Sequence, residues 1–375
     1  MSDRPKLNLP TPARAVLVVG LIYFFLVGVS SLETGITIMG ADTQEKLFTA
    51  ATNPIAALCI GILGTVLVQS SSATTSIIVG LVASGALTVD QAVPMVMGAN
   101  IGTTITGTLV SLGHIRQSNE FRRAFATASV HDFFNVFSVM LLLPLELMFG
   151  VISRPAEWIS GKLVGSGGAT WNSPVSQWVK GPVDLIQNFW GAVGVSGTAQ
   201  GVLMVLSGLV MILIALMFIT RNMRSLVADR VERSVNAMLT RGGGALGLLL
   251  GLVITMAVQS SSITTSILVP LAGAGVITVR SAYPVALGAN VGTTITALLA
   301  ALAASSVNGL SIAFVHTIFN VAGIFLLYVI PVARDLPIRA AEGLADLAVR
   351  RRSIAIGYVV GAFLVLPLIG ILVFG

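Results

Sequence analysis

Two stretches of this chain are copies of one another. Gln69-Ser70-Ser71-Ser72-Ala73-Thr74-Thr75-Ser76 returns as Gln259-Ser260-Ser261-Ser262-Ile263-Thr264-Thr265-Ser266. Gly98-Ala99-Asn100-Ile101-Gly102-Thr103-Thr104-Ile105-Thr106 returns as Gly288-Ala289-Asn290-Val291-Gly292-Thr293-Thr294-Ile295-Thr296. The offset between copies is 190 (259 − 69, and 288 − 98), and 23 of the 38 positions from Gln69 to Thr106 are identical without a gap. Chance does not produce this. A third segment, His131-x-x-Phe134-Asn135-Val136, returns as His316-x-x-Phe319-Asn320-Val321 after a shorter connection. The fold must therefore be one that two copies of a single unit build together.

The solvent of that fold follows from charge. Only 10% of the 375 residues are charged, 55% are hydrophobic, and the mean hydropathy is +0.94. Soluble domains carry about a quarter charged residues, so the bilayer must be the main solvent. The reading is an all-α polytopic membrane protein with two inverted-topology repeats containing broken or re-entrant helices. Spans are expected over 13–30, 124–149, 201–220, 310–330 and 354–374, with broken apolar regions at 48–112 and 245–304.

Charge also sets orientation. Arg4, Lys6 and Arg14 precede the first span, so the N-terminus is expected in the cytoplasm, and no cleavable signal is recognised. The acidic and basic residues Glu33, Asp42, Glu45 and Lys46 follow that span. The basic stretches at 114–123, 221–241 and 334–352 are expected inside, and the uncharged linker 305–309 outside. One unit then ends where the other begins, which makes them inverted. The units are 1–12 (cytoplasmic N-terminus), 13–150 (first repeat), 151–200, 201–335 (second repeat) and 336–375 (basic segment and final apolar helix). Residues 151–200 hold Trp158, Trp171, Trp178 and Trp190 and read as an external loop with interfacial segments. The net charge of +6 sits between apolar stretches, so no nucleic-acid partner is expected. A lone cysteine, Cys59, excludes an internal disulfide. With no usable glycosylation sequon, this suits a bacterial inner membrane.

Each Gln-Ser-Ser-Ser stretch packs six hydroxyls and an amide into eight residues. Polar groups at membrane depth are costly unless satisfied. A single such cluster is explained by hydroxyls bonding their own helix; two copies in inverted units point to a lined cavity. Hydroxyls and a half-helix N-terminus suit an anion, and oxygen atoms of hydroxyls, amides and unwound carbonyls suit sodium. Close packing accounts for Gly98 and Gly102 but not for Asn100, Thr103 and Thr106, or for Asn290, Thr293 and Thr296. Pro94 and Pro284 favour a helix break. Asp132 lies in an apolar run and is a functional candidate by default; its repeat partner is Thr317. His131 and His316 read as structural, capping carbonyls between helices.

Paired Gln-Ser-Ser-Ser segments, each followed by Gly-x-Asn-x-Gly-Thr and then His-x-x-Phe-Asn, resemble the type II sodium–phosphate cotransporter family over about residues 13–335. The resemblance implies a secondary symporter that couples sodium entry to phosphate uptake by alternating access. It is expected to need no cofactor beyond sodium ions as co-substrates. Phosphate is expected at Gln69, Ser70, Ser71, Ser72, Gln259, Ser260, Ser261 and Ser262, with Asn100 and Asn290. Sodium is expected at Thr103, Thr106, Thr293, Thr296, Asp132, Asn135, Asn320 and Gln117; Thr293 and Thr296 fall where the family places such ligands. The family has Gln and Asp where this chain has His114 and Gln117, and Ser where it has Ala289. Ala126-x-Ala128-x-x-x-Asp132 resembles members that move net charge. Transport of sulfate or arsenate, a passive pore and an intramembrane serine hydrolase are the rival readings. The hydrolase needs a base beside one unique serine, whereas here the serines are duplicated.

Overall fold

Each backbone N–H and C=O in hydrocarbon must be satisfied within its own segment, so helices are the expected element. The computed structural model of the protein describes residues 11–40, 49–164, 174–241, 243–304 and 306–375, without side-chain detail at residues 11, 12, 50 and 224–241. Arg4, Lys6, Asp42, Glu45, Lys46 and Trp171 lie outside the described residues, as do the side chains of Arg224, Arg230, Arg233 and Arg241.

Every described element is helical. The first repeat contains α1 (Thr11–Met39), α2 (Pro54–Val68), α3 (Ser71–Ala83), α4 (Val89–Thr103), α5 (Ile105–Leu112) and α6 (Ser118–Phe149). Next come α7 (Ser153–Val164) and α8 (Pro174–Ala192). The second repeat contains α9 (Gly197–Arg241), α10 (Gly244–Val258), α11 (Ser261–Gly273), α12 (Val279–Ala304) and α13 (Val307–Ile324). The chain closes with α14 (Pro331–Arg350), α15 (Arg352–Val360) and α16 (Leu366–Phe374), the last two joined by a π-turn at Gly361–Val365. Among the described residues, seven stretches are long and apolar enough to cross a membrane: Ala13–Met39, Val89–Leu112, Ser118–Phe149, Gly197–Met223, Val279–Ala304, Val307–Val329 and Arg352–Phe374.

Two boundaries differ from the sequence expectation. The first span does not end at residue 30; α1 continues to Met39 and carries Glu33 within it. The span at 201–220 continues unbroken through 221–241. The stretch 151–200, expected as an external loop with interfacial segments, is largely helical. It contains α7 and α8, and the Glu146 carboxylate accepts from Ile152 N at 2.6 Å and Ser153 N at 3.1 Å, satisfying donors at the start of α7.

The core of each repeat is a helical hairpin beside a long helix. Gly61 on α2 faces the Met95 carbonyl, Gly98 on α4 faces the Leu58 carbonyl, and Gly102 lies against Ile62 and Thr65. Thr106 then reaches Gln69. These pairs advance together, so α2 and α4 run in the same direction. The chain between them must double back, and α3 is the returning arm. At 15 and 13 residues, α2 and α3 are each about 20 Å long, too short to cross a core of about 30 Å. Their joint therefore lies within the membrane. The second repeat does the same: Gly251 faces Val285, Gly288 faces Leu248, Gly292 lies against Leu252 and Thr255, and Thr296 reaches Gln259.

The helix break falls at Gln69 and Gln259, not at the prolines. Pro94 and Pro284 lie inside continuous helices. Each is the sixth residue of its helix, so the carbonyl that it leaves unpaired belongs to the first turns and sits near the helix mouth. By contrast, Gln69 and Gln259 both adopt φ of 57°, a left-handed conformation that ends a helix.

The glycine approach is tight enough to test. A Cβ on Gly98 would stand 2.0 Å from the Leu58 carbonyl oxygen, and one on Gly288 1.9 Å from that of Leu248. Backbone cannot yield as a side chain can. Gly98→Ala is therefore expected to cost about 3 kcal/mol, the upper end for overpacking. The check is a lower melting temperature in detergent than Gly20→Ala, whose Cβ would meet nothing within 4 Å.

The two repeats exchange their hairpins. The returning arm α3 packs on α12 and α13, and the returning arm α11 packs on α5 and α6. Arg123, at the start of α6, donates from Nε and a terminal nitrogen to the Gly273 carbonyl at 3.0 and 2.5 Å, capping α11. The equivalent helices α6 and α13 pass in opposite directions. Gly323 lies against Phe134 and Ser138, while Ser311, early in α13, meets Ser160 of α7 at 2.6 Å, beyond the end of α6. The amphipathic α14 lies along α6, clipped by Arg122 to Asp346, and to α12 by Arg280 to Asp335 at 2.8 Å. Each acid sits below the usual carboxylate range because of its arginine partner.

Candidate functional site

The two hairpin tips meet. Ser72 of the first tip donates from Oγ to the Gln259 carbonyl of the second at 3.3 Å. Because α3 begins at Ser71 and α11 at Ser261, two helix N-termini open onto this junction. Each contributes backbone N–H groups and a partial positive charge. Ser70 already caps its own helix, accepting from Ala73 N at 3.2 Å, whereas Ser260 makes no such bond. Ser71 and Ser261 are buried residues, and their hydroxyls make no hydrogen bond within the described residues. A site with paired free donors and paired helix N-termini can hold an oxyanion.

The glutamines are fixed from both ends. Gln69 donates from Nε2 to the Val66 carbonyl at 2.5 Å and accepts from Thr106 Oγ1 at 3.3 Å. Gln259 donates to the Met256 carbonyl at 2.6 Å and accepts from Thr296 at 2.7 Å. Thr106 and Thr296 thus brace the tips. Thr103 and Thr293 bond their own helix, at Ala99 and Ala289.

Beside the tips lies a buried amide network that crosses the repeats. His131 Nε2 meets Asn290 Oδ1 at 2.6 Å, Asn290 donates to Asn135 Oδ1 at 2.8 Å, and Asn135 donates to the Asn100 carbonyl at 2.8 Å. Asn135 does the interhelical carbonyl capping that the sequence reading gave to the histidines; the partner of His131 is a side-chain amide instead. The equivalent residues make no such network. Asn100 and Asn320 donate to carbonyls of their own helices, and His316 Nδ1 and Asn320 Oδ1 are buried without a partner.

Asp132 is fully buried on α6. Its Oδ2 accepts from Thr108 at 3.1 Å and from Tyr358 at 3.1 Å, while Oδ1 has no partner. One turn earlier, the buried Ser129 hydroxyl is likewise unpartnered. The fold does not bring Gln117 to this centre. It is exposed at the N-cap of α6, and its amide nitrogen faces Glu120. Gly273, the last residue of α11, lies beside His114, so this rim is about one α11 length, roughly 20 Å, from the Ser261 tip. Thr108 and Tyr358 were missed by the sequence reading, because nothing in their local pattern marks them; only the fold brings them to Asp132.

These features define a helical membrane protein that builds one buried polar junction from two copies of a unit. The chain belongs to the Na+/Pi-cotransporter family, whose sequence profile matches residues 24–156 and 211–333. It is 34% identical over 447 residues to sodium-dependent phosphate transport protein 2B of Homo sapiens, covering 95% of this chain and 64% of that one. It is 34% identical over 421 residues to sodium-dependent phosphate transport protein 2A of Rattus norvegicus, covering 94% of this chain and 66% of that one. The chain thus spans just under two thirds of the length of these relatives. No solved structure matches it.

Proposed function

We propose that this chain is a sodium-coupled symporter of inorganic phosphate. The observation that carries the reading is the meeting of the two Gln-Ser-Ser-Ser tips, with Ser71 and Ser261 both left as free donors. Family membership and the printed names of the relatives agree with it. Phosphate sits between the tips, held by Ser70, Ser71 and Ser72 and by Ser260, Ser261 and Ser262. Gln69, Gln259, Asn100 and Asn290 complete the lining. Sodium is held nearby by Thr103, Thr106, Thr293 and Thr296, by Asn135 and Asn320, and by Asp132. Gln117, on the rim, meets sodium only at the entrance.

The two units are inverted, a reading supported by the opposite courses of α6 and α13 and by the exchanged hairpins. Transport proceeds by alternating access around the junction and carries net charge. The protein lies in the inner membrane with its N-terminus and the basic face of Arg122, Arg123 and α14 in the cytoplasm.

No Lys or Arg hydrogen-bonds the tip residues among the described bonds, so sodium must offset the anion's charge. Each ligand then improves the other's site reciprocally. Phosphate uptake into proteoliposomes is expected to fall to background when choline or potassium replaces sodium. Sulfate is expected not to compete. Uptake indifferent to sodium would sink the coupled reading, and preferential uptake of sulfate would move it to another oxyanion.

A further inference from the structure

The helix that follows the second repeat has a place in the site. Residues 352–374 lie outside both stretches matched by the family profile, yet Tyr358 on α15 donates its hydroxyl to Asp132 Oδ2 at 3.1 Å, 226 positions away in sequence. Its ring is fixed independently of that bond. It stacks on Phe133 at 6.4 Å and makes edge contacts with Phe125 at 6.3 Å and Phe363 at 6.1 Å. The hydroxyl is thus delivered by a packed aromatic cluster, not by a mobile side chain.

We propose that Tyr358 is a positioning residue for the sodium ligand Asp132. This rests on the sodium-coupled reading above. Tyr358 and Thr108 both bond Oδ2, which fixes the rotation of the carboxylate; the Thr104 hydroxyl also lies beside it but is turned to the Ile101 carbonyl, so Oδ1 is left without a hydrogen bond. That oxygen is buried and unpartnered, as is the Ser129 hydroxyl one turn away. A buried anionic oxygen without a donor invites a cation. Groups that orient a metal ligand from behind typically matter about ten- to a hundredfold for affinity. The terminal helix therefore tunes sodium affinity while touching neither phosphate nor sodium.

Tyr358→Phe removes only the hydroxyl and keeps the ring contacts. The measurement is phosphate uptake into proteoliposomes against sodium concentration, read as half-saturation so that the amount of inserted protein does not matter. Wild-type protein comes first: if it shows no sodium dependence, the parent reading fails, and Tyr358 is not the cause. Given a sodium-dependent wild type, Tyr358→Phe should raise half-saturating sodium about tenfold. Half-saturating phosphate at saturating sodium should stay unchanged. Added to Asp132→Gly, Tyr358→Phe should shift the remaining sodium dependence no further, since the two residues act as one unit. An unchanged or lower half-saturating sodium overturns the proposal. So does a loss of phosphate affinity at every sodium concentration, or an additive effect in the double variant.

Discussion

Asp132→Gly is expected to abolish the current that accompanies phosphate uptake while leaving part of the uptake itself. Asp132 is fully buried and keeps one oxygen unpartnered. A carboxylate held ionised at membrane depth requires a cation beside it. Removing the carboxylate removes that cation from the cycle, but the tips, which bond one another through Ser72 and Gln259, stay in place. Only one repeat can do this, because the equivalent position holds Thr317, whose hydroxyl bonds Ala313 on its own helix. Current and labelled phosphate flux are measured in the same preparation. An Asp132→Gly variant with an unchanged charge-to-phosphate ratio would make this carboxylate purely structural.

Ser71→Ala and Ser261→Ala should each raise the phosphate concentration for half-maximal uptake by about ten- to a hundredfold. The estimate follows from roughly 1.5–3 kcal/mol for a lost hydrogen bond to a charged group. These two serines are the informative pair because they are buried, occupy equivalent helix starts and make no bond within the described residues. Ser72 is less clean, because its hydroxyl already ties the tips together. Uptake kinetics on folded, inserted protein decide the matter. If one variant is inactive and its partner behaves as wild type, the two tips do not share one ligand.

Duplication is what made the centre legible in the sequence. A polar cluster such as Gln69–Ser76 has an ordinary explanation on its own; its recurrence at Gln259–Ser266 does not. A half-helix start was legible at each Gln-Ser-Ser-Ser stretch, but the hairpin joint itself was not, and the prolines drew the expected break to the wrong place. Their cost depends on which carbonyl loses its partner, and that depends on where the helix starts. The length of α1 was hidden because Glu33 reads as a loop residue until its environment is known. Asp132 stood out by charge, whereas Thr108 and Tyr358 did not. A single hydroxyl on an apolar helix has many unremarkable fates, and the pairing across 226 positions exists only once α15 is folded against α6. Likewise, Asn100, Asn135 and Asn290 could be named as candidates and His131 as a structural residue, but not the order in which they bond.

That order has a spectroscopic consequence. A side-chain amide has a direction: Asn290 gives its NH2 to Asn135, so its oxygen faces His131. The imidazole must then carry its proton on Nε2, because an acceptor faces that nitrogen. His316, at the equivalent place, has no partner at Nδ1 and no such instruction. The chain holds three histidines, the third being His114 on the rim. Nitrogen-15 spectra should therefore separate two buried imidazoles that the repeat makes identical in sequence position. Under the alternating access proposed above, an exchange of roles between the repeats is expected to pass the network to His316, Asn100 and Asn320, so that the two tautomer signatures trade places. The asymmetry of a duplicated chain would then be a native reporter of that exchange.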